Sequence, residues 1–255
     1  MIAAPTNTFK ARLLAGETQH GLWMSIPSPV TAEALSLVGF DWLLFDSEHA
    51  PVEVAGVQPL LQAASAGTSA LAARPAWNDK VLIKKFLDIG TQTLLIPFIE
   101  NAQEAQAAVR ATRYPPEGIR GVAGSTRASR YGQATGYLQQ ANDEICVLVQ
   151  VETAAALENL EEIAAVPGVD GVFVGPSDLS ASLGHLGNPG AEPVQAILRE
   201  LAPRIDACGK APGILATNAQ DAKRYREWGY RFIASSVDIG LLVGGAKGLL
   251  ADMTR

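Results

Sequence analysis

The sequence predicts an α/β fold in which eight parallel strands alternate with helices and close into a barrel. The chain has 255 residues, a length that suits one large domain of this kind. Eight short apolar runs, typical of strands buried on both faces, alternate with segments of helical periodicity. Together these observations predict a single TIM barrel over residues 1–255, with active residues at the carboxyl ends of the strands.

The predicted elements alternate along most of the chain. Strands are predicted at 21–26, 40–45, 69–73, 92–96, 145–151, 170–174, 213–215 and 232–235. Helices are predicted at 9–15, 31–37, 54–64, 79–87, 102–111, from 153 onward, and at 194–208, 219–228 and 239–253. The first of these helices precedes the barrel, and the last one follows it.

One segment interrupts the alternation. The sequence of residues 114–143 is typical of a long loop. A loop of this length in a compact domain is usually functional or disordered. It could fold over the barrel mouth, and residues 119–122 could add a short strand. A solvated loop or a subunit contact is an equal alternative. Four of its side chains could contact an anionic substrate: Arg120, Arg127, Arg130 and Tyr131.

Composition narrows the class of protein. Hydrophobic residues make up 48% and charged residues 18%, and the net charge is −6, so no basic surface suggests nucleic acid. No run of 18 apolar residues predicts a membrane span, and the N-terminus lacks the apolar core of a signal peptide. Cys146 and Cys208 are expected in a buried strand and at a helix end, as in a reduced, cytoplasmic protein.

Polar residues follow two predicted strands that should be neighbours. Gln150 and Glu152 end the strand at 145–151, and Ser177 and Asp178 follow the strand at 170–174. Parallel neighbours lie about 4.8 Å apart, so the two carboxylates should face one small volume. A divalent cation such as Mg²⁺ or Mn²⁺ would relieve their repulsion. The helix start at Ser177 could also hold a carboxylate, although a plain N-cap is an alternative.

Two other strand ends carry candidate catalytic groups. Asp46 and His49 are three residues apart, so the carboxylate could orient the imidazole as a general base; a turn-holding histidine is the alternative. Arg74 would present a positive fork to a carboxylate or a developing oxyanion. Glu48 and Asp88 are possible supporting groups, with a surface role and a helix-end role as their alternatives.

Lysine placement bears on the mechanism. None of the seven lysines lies in or just after a predicted strand. A Schiff-base mechanism needs a lysine inside the barrel, so a metal-dependent route is favoured.

Six ordered motifs between Gly21 and Gly240 carry a resemblance. They are FDSEHAP, AARP, GTQTLLIP, VQVET, GVFVGPSDLSASLG and SSVDIG. Together they resemble the class II pyruvate aldolases of the 4-hydroxy-2-oxoheptanedioate and hydroxy ketoacid (hydroxypyruvate) aldolase family. The resemblance implies a divalent metal (Mg²⁺, Mn²⁺ or Co²⁺) on Glu152 and Asp178, Gln150 near the substrate, an Asp46–His49 pair, and Arg74 on the pyruvyl oxygen. Candidates for the aldehyde pocket are Trp23, Leu215 and Val237, which could also be ordinary core.

The expected function is reversible retro-aldol cleavage of 4-hydroxy-2-oxo acids to pyruvate or hydroxypyruvate and an aldehyde, through an enolate that the metal stabilises. Two alternatives are a lyase acting on malyl- or citramalyl-coenzyme A and a non-catalytic barrel that binds a keto acid.

The last predicted helix also suggests an oligomer. It is apolar around much of its circumference and contains Gly240, Gly244, Gly245 and Gly248, which cost about 1 kcal/mol each relative to alanine. Close approach of another helix would explain them, and tight packing within one chain is the alternative. The resemblance implies that subunits exchange this helix and form hexamers as trimers of dimers.

Overall fold

The computed structural model of the protein describes residues 2–254, and its centre is a closed barrel of eight parallel strands. The strands of the chain are β1 (Ile2–Ala3), β2 (Gln19–Met24), β3 (Trp42–Asp46), β4 (Ala70–Arg74), β5 (Thr93–Ile96), β6 (Ala134–Thr135), β7 (Cys146–Val151), β8 (Gly171–Val174), β9 (Ala211–Leu215) and β10 (Phe232–Val237). The barrel order is β10–β2–β3–β4–β5–β7–β8–β9. The predicted barrel and all eight of its strands are therefore confirmed.

Helices surround the barrel in the predicted alternation. They are α1 (Thr8–Leu14), α2 (Pro29–Ser36), α3 (Val54–Ala64), α4 (Lys80–Asp88), α5 (Ala102–Thr112), α6 (Tyr137–Glu144), α7 (Ala154–Glu158), α8 (Leu160–Ala165), α9 (Pro176–Ser182), α10 (Glu192–Ala207), α11 (Ala219–Glu227) and α12 (Asp238–Met253). No helix within residues 2–254 is long and apolar enough to cross a membrane.

The barrel interior is filled by aromatic and aliphatic side chains. Phe9 of α1 packs edge-on against Trp42 and Phe232, with ring centroids 6.0 and 6.1 Å apart, so α1 closes the amino end of the barrel. Gly21 and Gly213 make room for these rings, because a Cβ at either position would overlap the ring of Trp42 or Phe232. The interior of the barrel is therefore closed at its amino end.

The segment at 114–143 does not cover the barrel mouth. It runs along the amino end of the barrel, where Arg127 donates to the carbonyl of Ile89 at 2.8 Å. No strand forms at 119–122, because the Ile119 and Arg120 N–H groups bond to carbonyls at the end of α5. The short extra strand is instead β6, which pairs with β1, and α6 follows it.

Helix α12 packs little against its own barrel. Of its described residues only Asp238 is buried, whereas Leu242, Leu249 and Leu250 are 62–65% exposed. A Cβ added at any of its four glycines would meet no atom within 4 Å. Packing within this chain therefore does not account for the apolar residues and glycines of α12.

Candidate active site

Arg74, at the end of β4, is the centre of a polar cluster at the carboxyl end of the barrel. Asp46 lies beside it because the two residues pair in the register of β3 and β4. Arg74 donates from Nε to Asp46 Oδ1 at 2.9 Å and from Nη2 to Oδ2 at 2.7 Å. Both side chains are buried, and the guanidinium lies over the Trp23 ring, 4.7 Å from its centroid. These contacts hold the guanidinium in one orientation.

Asp46 holds Arg74 and does not hold His49. Besides the two bonds from Arg74, its carboxylate accepts the Glu48 N–H at 2.9 Å and Trp23 Nε1 at 3.2 Å. A carboxylate has about four acceptor positions, so none remains for an imidazole. Burial alone would raise the pKa of Asp46, but the hydrogen bonds and charge of Arg74 lower it below its ordinary value. The expected Asp46–His49 pair is thus not formed, and His49 lies exposed at the rim.

The remaining nitrogen of Arg74, Nη1, connects the Asp46–Arg74 ion pair to β7. Gln150 Oε1 accepts from Nη1 at 3.4 Å, and Glu48 Oε2 lies 2.5 Å from it in an ion pair. Gln150 in turn donates from Nε2 to Glu152 Oε2. Burial raises the pKa of Glu48, and the positive charge of Arg74 opposes that rise. One hydrogen-bonded network therefore joins the ends of β3, β4 and β7.

Glu152 follows β7 and is almost fully buried, with 1% of its surface exposed. Its Oε1 accepts the N–H of Phe98 at 3.1 Å, and Phe98 has the left-handed φ of 50° that is uncommon outside glycine. A Cβ on Gly175 would overlap Glu152 Oε2, so the glycine makes room for the carboxylate. Burial raises the pKa of Glu152 to about 7; the Phe98 N–H opposes the rise, and the charge of Asp178 adds to it.

Asp178 lies in the first turn of α9, directly after β8, and is half-buried. Its negative charge raises the pKa of both Glu152 and Glu48, so the three carboxylates act on one another. Ser177, the preceding residue, is exposed. Val151 and Val174 pair in the register of β7 and β8, so the strand ends that Glu152 and Asp178 follow are neighbours. Glu48 is a further negative group, beside Arg74.

The three residues expected to form the aldehyde pocket lie at or next to the ends of neighbouring strands. Trp23 is buried in β2 and pairs with Val237 in the register of β2 and β10, while Leu215 ends β9. Val237 and Leu215 are half-buried. Trp23 also donates to Asp46 and lies under Arg74, so it has a polar role that its apolar character did not suggest.

Comparison with known proteins places this site in a family. Residues 19–244 match the model of the HpcH/HpaI aldolase/citrate lyase family. The chain belongs to that family. A Klebsiella pneumoniae protein named 4-hydroxy-2-oxo-heptane-1,7-dioate aldolase is 54% identical over 98% of this chain and 94% of its own.

Two solved structures agree with this assignment. An HpcH/HpaI aldolase/citrate lyase family protein from Burkholderia cenocepacia has a TM-score of 0.95 at 42% identity, covering 98% of this chain and all of its own. An HpcH/HpaI aldolase from Desulfitobacterium hafniense has a TM-score of 0.88 at 28% identity, covering 97% and 96%.

This HpcH/HpaI family member is accordingly an aldolase, a carbon–carbon lyase. Class II aldolases generally depend on a divalent metal. Within residues 2–254 no group of three or more His, Cys, Asp or Glu side chains is placed to hold a metal. The donor set still fits a hard cation of the Mg²⁺ type, which one or two carboxylates can bind while water and substrate supply the other ligands. Glu152 and Asp178 are two carboxylates that follow neighbouring strands, and the charge of Asp178 disfavours the ionised form of Glu152 in the metal-free protein.

Several expected site residues lie at the opposite end of this aldolase barrel. Asp88 ends α4 and pairs with Arg120 at 3.1 Å, so it supports neither Arg74 nor His49. The Arg120 guanidinium packs over the Tyr114 ring, 4.3 Å from its centroid. Arg127, Arg130 and Tyr131 belong to the segment along the amino end. Within one chain, none of these groups reaches the cluster around Arg74.

Phe98 is the site residue that the sequence did not indicate. Its contribution is a backbone N–H, aimed at Glu152 by a left-handed φ that a phenylalanine seldom adopts. Its ring stacks on Trp77, with centroids 5.7 Å apart. A glycine at this position would have suggested the unusual φ, but a phenylalanine gives no such signal.

Proposed function

We propose that this aldolase reversibly cleaves 4-hydroxy-2-oxo acids to pyruvate, or hydroxypyruvate, and an aldehyde. The observation that supports this most is the fixed Arg74 guanidinium beside Gln150 and the Glu152–Asp178 carboxylates. In that arrangement the guanidinium can bind a 2-oxo acid, and the two carboxylates can bind a cation. The names of its relatives make 4-hydroxy-2-oxo-heptane-1,7-dioate the first substrate to test.

Glu152 and Asp178 would hold a divalent cation, with Mg²⁺, Mn²⁺ and Co²⁺ as candidates. When bound, the cation supplies Lewis-acid stabilisation of the negative charge that develops on the keto oxygen during cleavage. Arg74 donates hydrogen bonds to the same developing charge, and one such donor is worth roughly 10²–10³ in rate. Gln150 and Ser177 orient the carboxylate end of the 2-oxo acid.

His49 is the proposed base that removes the proton from the C4 hydroxyl as the C3–C4 bond breaks. It lies exposed at the rim, where the aldehyde leaves, and its imidazole is not tied to Asp46. In the synthetic direction the same imidazole returns the proton to the new hydroxyl group.

A panel of aldehydes tests the reaction directly. Each aldehyde is combined with pyruvate and with hydroxypyruvate, in the presence of Mg²⁺, Mn²⁺ or Co²⁺. We expect metal-dependent carbon–carbon bond formation with at least one donor, and no cleavage of malyl- or citramalyl-coenzyme A. Cleavage of the thioesters without any reaction of the free 2-oxo acids would replace this proposal by the lyase alternative.

Metal binding should depend on pH through Glu152. Because the pKa of Glu152 in the metal-free protein is raised to about 7, the carboxyl is largely protonated below pH 7, and a metal must displace that proton. The apparent metal affinity should therefore fall about tenfold per pH unit below 7 and level off above it. Calorimetric titration with Mn²⁺ in buffers of different ionisation enthalpy measures the released proton. Equal affinities at pH 6 and pH 8 would contradict the assignment.

We also propose a homo-oligomer in which α12 packs on a partner subunit, in hexamers built as trimers of dimers. The exposed leucines and uncovered glycines of α12 support this, because contiguous exposed apolar surface usually marks an interaction site. We propose a cytoplasmic location as well. It is supported by Cys146 and Cys208, which are both free thiols, as is usual in a reducing compartment.

Charges placed on α12 should dissociate the oligomer. We expect the L242E/L249E double variant to be smaller than the wild-type protein in sedimentation at micromolar concentration, because two buried carboxylates at an interface would be unpaired. The matched control is Lys247→Glu, which alters charge on the same helix without altering an apolar residue. A wild-type monomer with full activity would refute the proposal.

A further inference from the structure

An aromatic pair at the rim of the barrel has no part in the proposed reaction. Trp77 lies between β4 and α4, and Phe98 follows β5. Their rings stack with centroids 5.7 Å apart and planes inclined by 28°. Among residues 2–254 the apolar clusters of the core include neither ring, and the indole is 54% exposed. The pair therefore adds little to the core and lies instead at the proposed site, where Phe98 contacts Glu152.

The left-handed φ of Phe98 connects the direction of its ring to that of its backbone N–H. The nitrogen lies 3.1 Å from Glu152 Oε1 at a φ of 50°, which a phenylalanine keeps only where its surroundings hold it. The end of β5 fixes the chain before this residue, and the Ile99 N–H, which donates to a carbonyl of β7 at 3.0 Å, fixes the chain after it. Because φ sets the direction of the side chain relative to the N–H, relaxation to a negative φ would move the ring off Trp77 or the N–H off Glu152.

The indole of Trp77 is itself carried by a fixed turn. The Trp77 carbonyl accepts the N–H of Asp79 at 2.8 Å, and the Asp79 side chain is the N-cap of α4. Asn78 donates from Nδ2 to the carbonyl of Glu104 in α5 at 3.0 Å. The turn before α4 is thus joined to the helix that follows Phe98, and the two rings are held on connected backbone.

We propose that Trp77 is a positioning residue for the metal site. By stacking on Phe98 it keeps the Phe98 N–H on Glu152 Oε1, and it thereby holds the carboxylate in the orientation that binds the cation. The inference rests on the proposed function, in which Glu152 and Asp178 bind a divalent cation. Hydrogen-bond partners of metal ligands generally act in this way, and the loss of one typically costs about 10- to 100-fold in metal affinity. Trp77 acts through Phe98, so the lower end of that range is expected for it.

Trp77→Ala tests the proposal through metal affinity in the absence of substrate. The dissociation constant of Mn²⁺, measured by calorimetry at pH 8 where Glu152 is largely ionised, should rise about tenfold. Trp77→Phe keeps a stacking ring and should retain most of the affinity. The matched control is Trp228→Ala, which removes an aromatic contact with Tyr225, 5.4 Å between centroids, at the end of α11. It should leave the affinity unchanged even where it lowers Tm.

Two substitutions of Phe98 separate positioning from packing. Glycine adopts a positive φ without strain, whereas alanine favours a negative φ. Phe98→Gly should therefore bind Mn²⁺ more tightly than Phe98→Ala, although alanine retains more of the side chain. In Phe98→Gly the ring that Trp77 contacts is absent, so adding Trp77→Ala should change the affinity no further. The comparison of the two Phe98 variants does not require Trp77→Ala to fold.

An unchanged Mn²⁺ affinity in folded Trp77→Ala, or equal affinities of Phe98→Gly and Phe98→Ala, would overturn the positioning role. Glu152→Ala shows which of the two proposals has failed. If it loses Mn²⁺ binding while Trp77→Ala does not, only the positioning role is wrong. If it binds Mn²⁺ as tightly as the wild-type protein, the metal site is wrong and the positioning role falls with it.

Discussion

Replacing Glu152 with alanine is expected to reduce metal-dependent aldol cleavage to the background rate. The change removes one of the two carboxylates proposed to hold the cation, and Asp178→Ala should have the same effect. Asp178 is half-buried, and Glu152, although buried, follows the end of β7 in a polar network and does not belong to the apolar core, so the fold should survive. Metal affinity is measured by titration with Mn²⁺, turnover at saturating metal, and folding by circular dichroism.

The matched control for the metal prediction is Glu158→Ala. Glu158 is an exposed carboxylate in α7, a few residues beyond Glu152, and no function is proposed for it. Glu152→Gln provides a second comparison, since it keeps a hydrogen-bond acceptor for the Phe98 N–H but loses the charge. Near-normal activity of Glu152→Ala or Asp178→Ala at low metal concentration would remove these residues from the metal site.

Replacing His49 with alanine is expected to lower kcat by about 10²–10⁴-fold, the usual contribution of a general base, while pyruvate binding changes little. An unchanged kcat would exclude His49 from that role. Exchange of the pyruvate methyl protons in deuterated water gives a further readout. If exchange is unchanged in His49→Ala while cleavage is slow, the imidazole acts only on the aldehyde side.

A double-mutant cycle separates His49 from Asp46. In the structure Asp46 accepts two hydrogen bonds from Arg74. Asp46→Asn should therefore act through the guanidinium, and its effect on log kcat should add to that of His49→Ala. If Asp46 instead orients His49 during catalysis, the double variant should be no slower than the worse single variant.

The barrel could be predicted from the sequence because parallel strands buried on both faces are nearly continuous apolar runs. Helix α6 was missed, since Tyr137–Glu144 is mostly polar and begins after a glycine inside a long irregular segment. The prediction of a short strand at 119–122 was wrong for a different reason. Its backbone groups are used by the end of α5, a contact between segments that periodicity along the chain does not reveal.

The candidate site shows the same limit. Their positions at or just after strand ends correctly predicted that one end of the barrel carries Arg74, Gln150, Glu152 and Asp178. The spacing of Asp46 and His49 suggested a pair, but strand register sets Asp46 beside Arg74, and sequence spacing carries no information on register. Asp88 was misplaced because a helix carboxyl end returns to the amino side of the barrel, away from the site.

Asp238 links α12 to the barrel wall beneath the site. Its carboxylate accepts the N–H of Ser25 and of Ile26, both at 2.9 Å, and the Ser25 hydroxyl at 2.7 Å. Trp23, two residues before Ser25, supports Asp46 and Arg74. We therefore expect a load applied to α12 to reach the strand that carries Trp23. Coupling this enzyme to a bead through its carboxyl terminus would therefore disturb the reaction centre, and attachment through lysines on the outer helices is the better route to an immobilised catalyst.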